Sequence, residues 1–180
     1  YIHWLQSSRK PNMVLQSLVP IDRTFGRLNT PEIYTNRQVF QGSPTSLSQL
    51  IAGAAAEKVT VISAPTTGTI TLDITTSPIL YFTANATANW SLALRGSSTS
   101  SINSLMNVGE SVTVAFLSTQ GGTAYYQTSL TVDGLTITPK WQGGTAPAAG
   151  NINSIDGYVC NIIKTGPGQF TVLEAQTRFA

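Results

Sequence analysis

The order of apolar and polar residues divides the chain near Lys58. Beyond it the period is two, the spacing at which alternate side chains share one face of a strand. Val59–Ser63, Gly68–Ile74, Ile79–Thr83, Asn89–Arg95, Ser111–Leu117, Ala124–Val132, Leu135–Thr138, Tyr158–Lys164 and Gln169–Ala175 are the predicted strands, separated by Gly-, Pro-, Thr- and Asn-rich breaks. Ile70, Leu72 and Ile74 fall on one face of the second, opposite Thr69, Thr71 and Asp73, and in the fourth Trp90, Leu92 and Leu94 are assigned to the core. Thr119–Thr123, with its Gly pair, reads as a hairpin connection, and Asp133-Gly134 as a turn that tolerates positive φ. Ile102–Met106 fits one helical turn. Short strands at close intervals with no helices between them predict an all-β domain over residues 59–180, an antiparallel β-sandwich or jelly roll.

Residues 1 to about 45 show neither alternation nor a helical stripe, and Pro11, Pro20, Pro31 and Pro44 would interrupt a long helix. Apolar residues, among them Trp4, Phe25 and Phe40, are too frequent for a free disordered tail, so the segment reads as an extended arm that needs a surface to lie on. Leu47, Leu50 and Ile51 at i, i+3 and i+4 behind Ser46 predict one short helix near residues 46–56. The expected organisation is an anchoring arm over 1–58 and a β-sandwich over 59–180.

Charged residues are 10% of the chain, against about 25% in an average soluble domain, so Thr, Ser, Asn and Gln supply the polar surface. Residues 1–58 hold six basic and three acidic groups, a net +3, while residues 59–180 hold four and five, a net −1. Arg9, Lys10, Arg23, Arg27 and Arg37 are spread rather than clustered, which suits docking to a protein and argues against a nucleic-acid partner. No stretch has the ~20 consecutive apolar residues of a membrane span, so no membrane partner is expected.

Catalytic chemistry finds little to work with. His3 is the only histidine, remote from any Ser-Gly turn, so a nucleophile with a base has no evident site. The five acids beyond residue 58 are Asp73, Glu110, Asp133, Asp156 and Glu174; Asp133 and Asp156 precede glycines and read as turn residues whose side chains close on their own backbone, not as calcium ligands. Cys160 is the only cysteine, expected as a small buried hydrophobe with no disulfide partner. Asn85-Ala-Thr87 and Asn89-Trp-Ser91 match the glycosylation pattern formally and read as turn and strand residues, and Gly166-Pro-Gly168 reads as a turn. No enzyme, cofactor or metal is expected. Trp141, between a strand end and Gly143-Gly144, is expected to cap one end of the core; the alternative is a sugar-stacking platform formed by Trp141 or by Tyr125 and Tyr126.

Gly109–Leu117, Tyr125-Tyr126, Val132-Asp-Gly134, Lys140-Trp-Gln-Gly-Gly-Thr-Ala-Pro147, Ile155-Asp-Gly-Tyr158 and Phe170–Leu173, with the terminal Arg178-Phe179-Ala180, together resemble a module of structural proteins of tailed bacteriophages. The chain is most similar to tail-fibre and other virion proteins of T4-like phages of marine cyanobacteria, over roughly residues 59–180. The resemblance implies a non-enzymatic component of the virion, tail fibre or tail-associated, and a homotrimer among other virion proteins. Trp4, Arg9, Lys10, Arg23, Phe25, Arg27, Arg37 and Phe40 are the candidate docking residues of the arm. Capsid decoration, or an adhesin that binds a host surface glycan through Trp141, Tyr125 and Tyr126, are the alternatives.

Overall fold

The computed structural model describes residues 43–45 and 53–180. The chain divides into two units, Tyr1–Ala52 and Gly53–Ala180. In the second, ten strands form, nine of them overlapping the predicted ones and β8 in addition: β1 (Val59–Pro65), β2 (Gly68–Asp73), β3 (Ile79–Ala84), β4 (Trp90–Arg95), β5 (Ser111–Thr119), β6 (Gln127–Val132), β7 (Leu135–Ile137), β8 (Lys140–Trp141), β9 (Ile155–Gly166) and β10 (Gln169–Phe179). The one helix among the described residues is α1 (Ile102–Leu105), at the predicted single turn. Of the helix predicted over 46–56, residues 46–52 lie outside the described residues, and 53–56 are not helical.

The fold is all-β, with two sheets ordered β1-β3-β5-β9-β10-β8 and β2-β4-β6-β7. The pairing differs from the antiparallel sandwich or jelly roll that the strand spacing suggests. Five of the eight strand pairs are parallel: β1 with β3, β3 with β5, β2 with β4, β4 with β6, and β10 with β8. From β1 to β6 the chain passes alternately from one sheet to the other, so each strand pairs with the one two places on. This is a coil of three turns. The β6–β7 hairpin then extends the smaller sheet, and the β9–β10 hairpin extends the larger one from β5.

The corners explain why the coil forms. Between β1 and β2 the chain does not fold back on itself; Thr66, fully buried, takes it across to the other sheet. Thr66 Oγ1 accepts from Ser118 Oγ at 2.9 Å, the Thr66 carbonyl accepts from Thr87 N, and Ala86 N donates to Thr119 O at 2.8 Å, so three successive corners stack. On the opposite side Ile74 N and Thr75 N donate to the carbonyls of Arg95 and Gly96, and Ser77 Oγ lies 2.7 Å from the carbonyls of Lys58 and Ile79. Ser and Thr suit these corners because a hydroxyl satisfies backbone groups that turn away from the ladder and would otherwise be buried unpaired. The Thr119–Thr123 connection, predicted as a hairpin, is likewise a crossover from β5 to β6 in the other sheet. Among the described residues only Asp133-Gly134 (φ 51° and 80°) and Pro167-Gly168 close true hairpins, after β6 and β9.

The two inner faces interdigitate. Leu72, Trp90, Leu92, Leu94, Leu130 and Val132 from the smaller sheet meet Phe116, Val114, Tyr158, Cys160, Ile162 and Val172 from the larger, all at most 1% exposed. Trp90 sits at the centre, its ring centroid 5.5 Å from that of Phe116 and 5.6 Å, edge-on, from that of Tyr158. Tilted and edge-on contacts of this kind add about 0.5–1.5 kcal/mol each beyond burial.

Candidate functional site

The chemistry-bearing residues of this unit fall into three groups. The first clamps α1. Asp133, on the β6–β7 turn, does not close on its own backbone as its Asp-Gly context predicts; its carboxylate accepts from Ile102 N (2.8 Å) and Asn103 N (2.9 Å) at the start of the helix. At the other end the buried Lys164 Nζ donates to the carbonyls of Asn103 (2.6 Å) and Met106 (2.8 Å). A four-residue helix cannot sustain itself in water, and these two charges supply partners for its unpaired ends.

The second group is Asp156. It does not sit in a turn, as predicted from Asp156-Gly157, but inside β9, fully buried. Its carboxylate accepts from Asn151 N (2.9 Å), Asn151 Nδ2 (2.6 Å) and Gln120 Nε2 (3.2 Å), which ties the 151–154 loop to the β5–β6 crossover. Among the described residues no group of three or more His, Cys, Asp or Glu is placed to hold a metal.

The third group surrounds Trp141. β8 carries this indole in parallel pairing with β10, and Gly143 and Gly144, at φ 77° and 83°, turn the chain away immediately afterwards. The ring is half-buried, edge-on to Tyr158 at 6.4 Å, and packs on the core. Its other side helps line a cleft of about 400 Å³ between β6, β7 and the Ala146-Pro147 segment, shared with Tyr126, Thr136 and Ile137. Tyr126 N donates to Asn89 Oδ1 at 3.1 Å, and Tyr126 reaches the cleft. Tyr125 packs against the core, its backbone held by Gln120 through N–H to Oε1 (3.0 Å) and Nε2–H to O (2.8 Å). Of the three predicted glycan contacts, the fold therefore brings Trp141 and Tyr126 to one cleft and leaves Tyr125 in a packing position. Trp4, Arg9, Lys10, Arg23, Phe25, Arg27, Arg37 and Phe40 lie outside the described residues.

Beneath the cleft is an arrangement that the sequence reading did not identify. Gln127, 4% exposed, donates Nε2–H to Glu174 Oε1 at 2.8 Å, and Glu174, 2% exposed, stands beside its register partner Cys160. Gln127 Oε1, Glu174 Oε2 and the Trp90 indole N–H have no hydrogen-bond partner among the described residues. Burial drives the Glu174 carboxyl up to about 7, with contacts from Cys160 and Gln127 partly opposing it. Burial and the neighbouring carboxyl push the Cys160 thiol up, away from the reactive thiolate. The signal for Glu174 was the alternation itself: it shares the inward face with Val172, two residues before it on β10. No protein family, curated protein or solved structure matches the chain.

The geometry supports packing and positioning. Asp133, Asp156 and Lys164 are each engaged with backbone or amide groups of the fold, and the acid with a shifted protonation, Glu174, lies between the sheets rather than at an open surface. Among the described residues no helix is long and apolar enough to cross a membrane.

Proposed function

We propose that the chain is a non-enzymatic structural component of a tailed-phage virion, tail-associated, whose segment 1–58 docks onto other virion proteins while the β-sandwich is displayed, with three copies forming a homotrimer. The resemblance of residues 59–180 to virion modules supplies the class. The observation that carries the reading is the coil: three stacked turns closed by the β9–β10 hairpin, whose buried Asp156 and Lys164 brace loops, a plan suited to a rigid displayed element. The arm's basic residues orient docking by charge, and its aromatic residues bury area in it.

The test is incorporation. Antibody labelling of purified particles locates the protein on the tail, and a chain without residues 1–52 is absent from particles while its sandwich remains folded by circular dichroism. Labelling on the capsid shell would replace the tail assignment with a decoration role, and absence from particles of the full-length chain overturns the reading.

A second reading is favoured by the Trp141–Tyr126 cleft: an aromatic wall beside the hydroxyls of Thr136 and Thr138 has the composition of a saccharide site. It predicts binding to host surface glycans that falls at least tenfold in Trp141→Ala and Tyr126→Ala and is unchanged in Tyr125→Phe. Absence of binding to a panel of bacterial surface glycans removes it.

A further inference from the structure

The smaller sheet carries a backbone irregularity at Gln127. β4 and β6 pair Trp90 with Gln127 and then Ser91 with Ser129, so Thr128 is an extra residue with no partner on β4. Leu130 points inward, and strict alternation from it would bury Thr128 and expose Gln127. The bulge reverses the two: Gln127 is 4% exposed, and Thr128 faces solvent. Inside, Gln127 Nε2–H is taken by Glu174 Oε1 at 2.8 Å, which leaves Gln127 Oε1, an acceptor, without a partner among the described residues. Gln127 also lines the cleft of about 400 Å³ that Trp141 and Tyr126 share. None of the described residues lining it is charged, and Thr128, Ser129, Thr136 and Thr138 give it hydroxyls. β7 pairs with β6 at Leu130, Thr131 and Val132, which leaves Gln127–Ser129 facing the cleft.

We propose that Gln127 is the recognition residue of this cleft for an uncharged saccharide, its Oε1 accepting from a sugar hydroxyl while Glu174 holds the amide in the orientation that keeps that oxygen free. The proposal deepens the saccharide reading of the cleft and rests on it. An unpartnered acceptor in a buried amide selects a donor, and a hydroxyl brings one without bringing charge. A carboxylate or phosphate group would meet no basic side chain among the described lining residues and would set its own oxygens against Oε1. An extended peptide gains affinity from main-chain hydrogen bonds along a sheet edge, and β7 leaves only Gln127–Ser129 of the β6 edge for it. The cleft is at the lower end of the roughly 300–1,000 Å³ of small-molecule sites, and Trp141 gives a flat apolar wall for a ring. Oε1 is closed to solvent, so the sugar reaches it by displacing β8, which two ladder positions hold and which Gly143-Gly144 follow at φ 77° and 83°. Glu174 acts through Gln127 and is a positioning residue.

The test is binding of the full chain to neutral hexose and N-acetylhexosamine oligosaccharides and to their uronic-acid counterparts, by isothermal titration calorimetry. Glu174→Gln is the discriminating variant. Its side-chain N–H can meet Gln127 Oε1 and occupy the acceptor, so the variant should be at least as stable as wild type at pH 8 yet bind the neutral sugars about tenfold more weakly. A merely structural role would move stability and affinity in the same direction. Gln127→Met, which keeps the length and removes the acceptor, should lose binding to a similar extent where circular dichroism shows it folded; if it does not fold, Glu174→Gln decides alone. Neutral-sugar binding that Trp141→Ala abolishes and Glu174→Gln leaves unchanged overturns the role of Gln127 while sparing the saccharide reading. Uronic-acid sugars bound as tightly as neutral ones overturn the uncharged class, and absence of binding to all of these sugars overturns both the proposal and the reading beneath it.

Discussion

Replacing Glu174 by Gln should make the protein more stable at pH 8 and remove most of its pH dependence between 5 and 8. Glu174 is held at about 7 in the folded chain, against 4.5 for an ordinary glutamate. A carboxyl raised in the folded state favours folding in its protonated form, so its full contribution is present below about 4.5 and is lost as pH rises through about 7. At 1.36 kcal/mol per pH unit the ionised form costs about 3 kcal/mol at pH 8 and less than about 1 kcal/mol at pH 5. The amide of Glu174→Gln carries no charge, and its N–H can meet Gln127 Oε1, which lacks a partner, while its oxygen keeps the bond from Gln127 Nε2. Urea denaturation of wild type and variant at pH 5, 6, 7 and 8, fitted with a common slope, measures this. The variant should be more stable by about 2–3 kcal/mol at pH 8, which is on the order of 10 °C in Tm, with the gap narrowing to under about 1 kcal/mol at pH 5. Taking the difference at each pH cancels the other titrating groups. A variant less stable than wild type at pH 8, or a gap that does not change with pH, refutes the assignment of a buried, charge-penalised carboxyl.

Three further outcomes follow from the same contacts. Lys164→Met, which keeps the stem and removes the ammonium, strands the Asn103 and Met106 carbonyls and should lower stability by about 1–3 kcal/mol in thermal melts, with earlier exchange of the α1 amides. Asp133→Asn, which can satisfy only part of the Ile102 and Asn103 pair, should lose about 1 kcal/mol, and Asp133→Ala about twice that, in chemical denaturation. Gly150→Ala would put a methyl onto the Tyr125 carbonyl and within 2.9 Å of Asp156 Oδ2, so it should destabilise by about 1–3 kcal/mol, whereas Gly122→Ala, which meets nothing within 4 Å, should be near neutral.

Strand existence was legible because burial follows the alternation: Ile70 and Leu72 on β2, and Trp90, Leu92 and Leu94 on β4, all point inward as read. Pairing was not legible. Thr66-Thr67 is the length of a hairpin loop, and nothing in its composition distinguishes a fold-back from a corner; the difference lies in Ser118, 52 residues away, which supplies the hydroxyl that lets Thr66 be buried. The Asp-Gly pairs illustrate the same limit. Val132-Asp-Gly-Leu135 is a turn, but its carboxylate works 31 residues away on α1, and Ile155-Asp-Gly-Tyr158 is a strand, because β9 needs a small residue where Phe179 crosses. At the candidate cleft the residue types pointed to Trp141 and Tyr126, while the Gln127–Glu174 pair behind them depends on β6 and β10 facing each other across the core. Local sequence carries no trace of that juxtaposition.

The place of β9 in the larger sheet has a consequence for synthesis. It lies between β5 and β10 near the middle of that sheet, yet it leaves a ribosome after all six strands of the coil. Until residues 155–180 emerge, β5 offers a bare edge and Trp90 and Phe116 lack Tyr158, so the nascent coil is a half-walled structure with its most apolar surface open. Translation that stops inside β9 should therefore yield aggregated or degraded chains, even though all three turns of the coil have been made, and emergence of the β9–β10 hairpin should be the event that triggers cooperative closure.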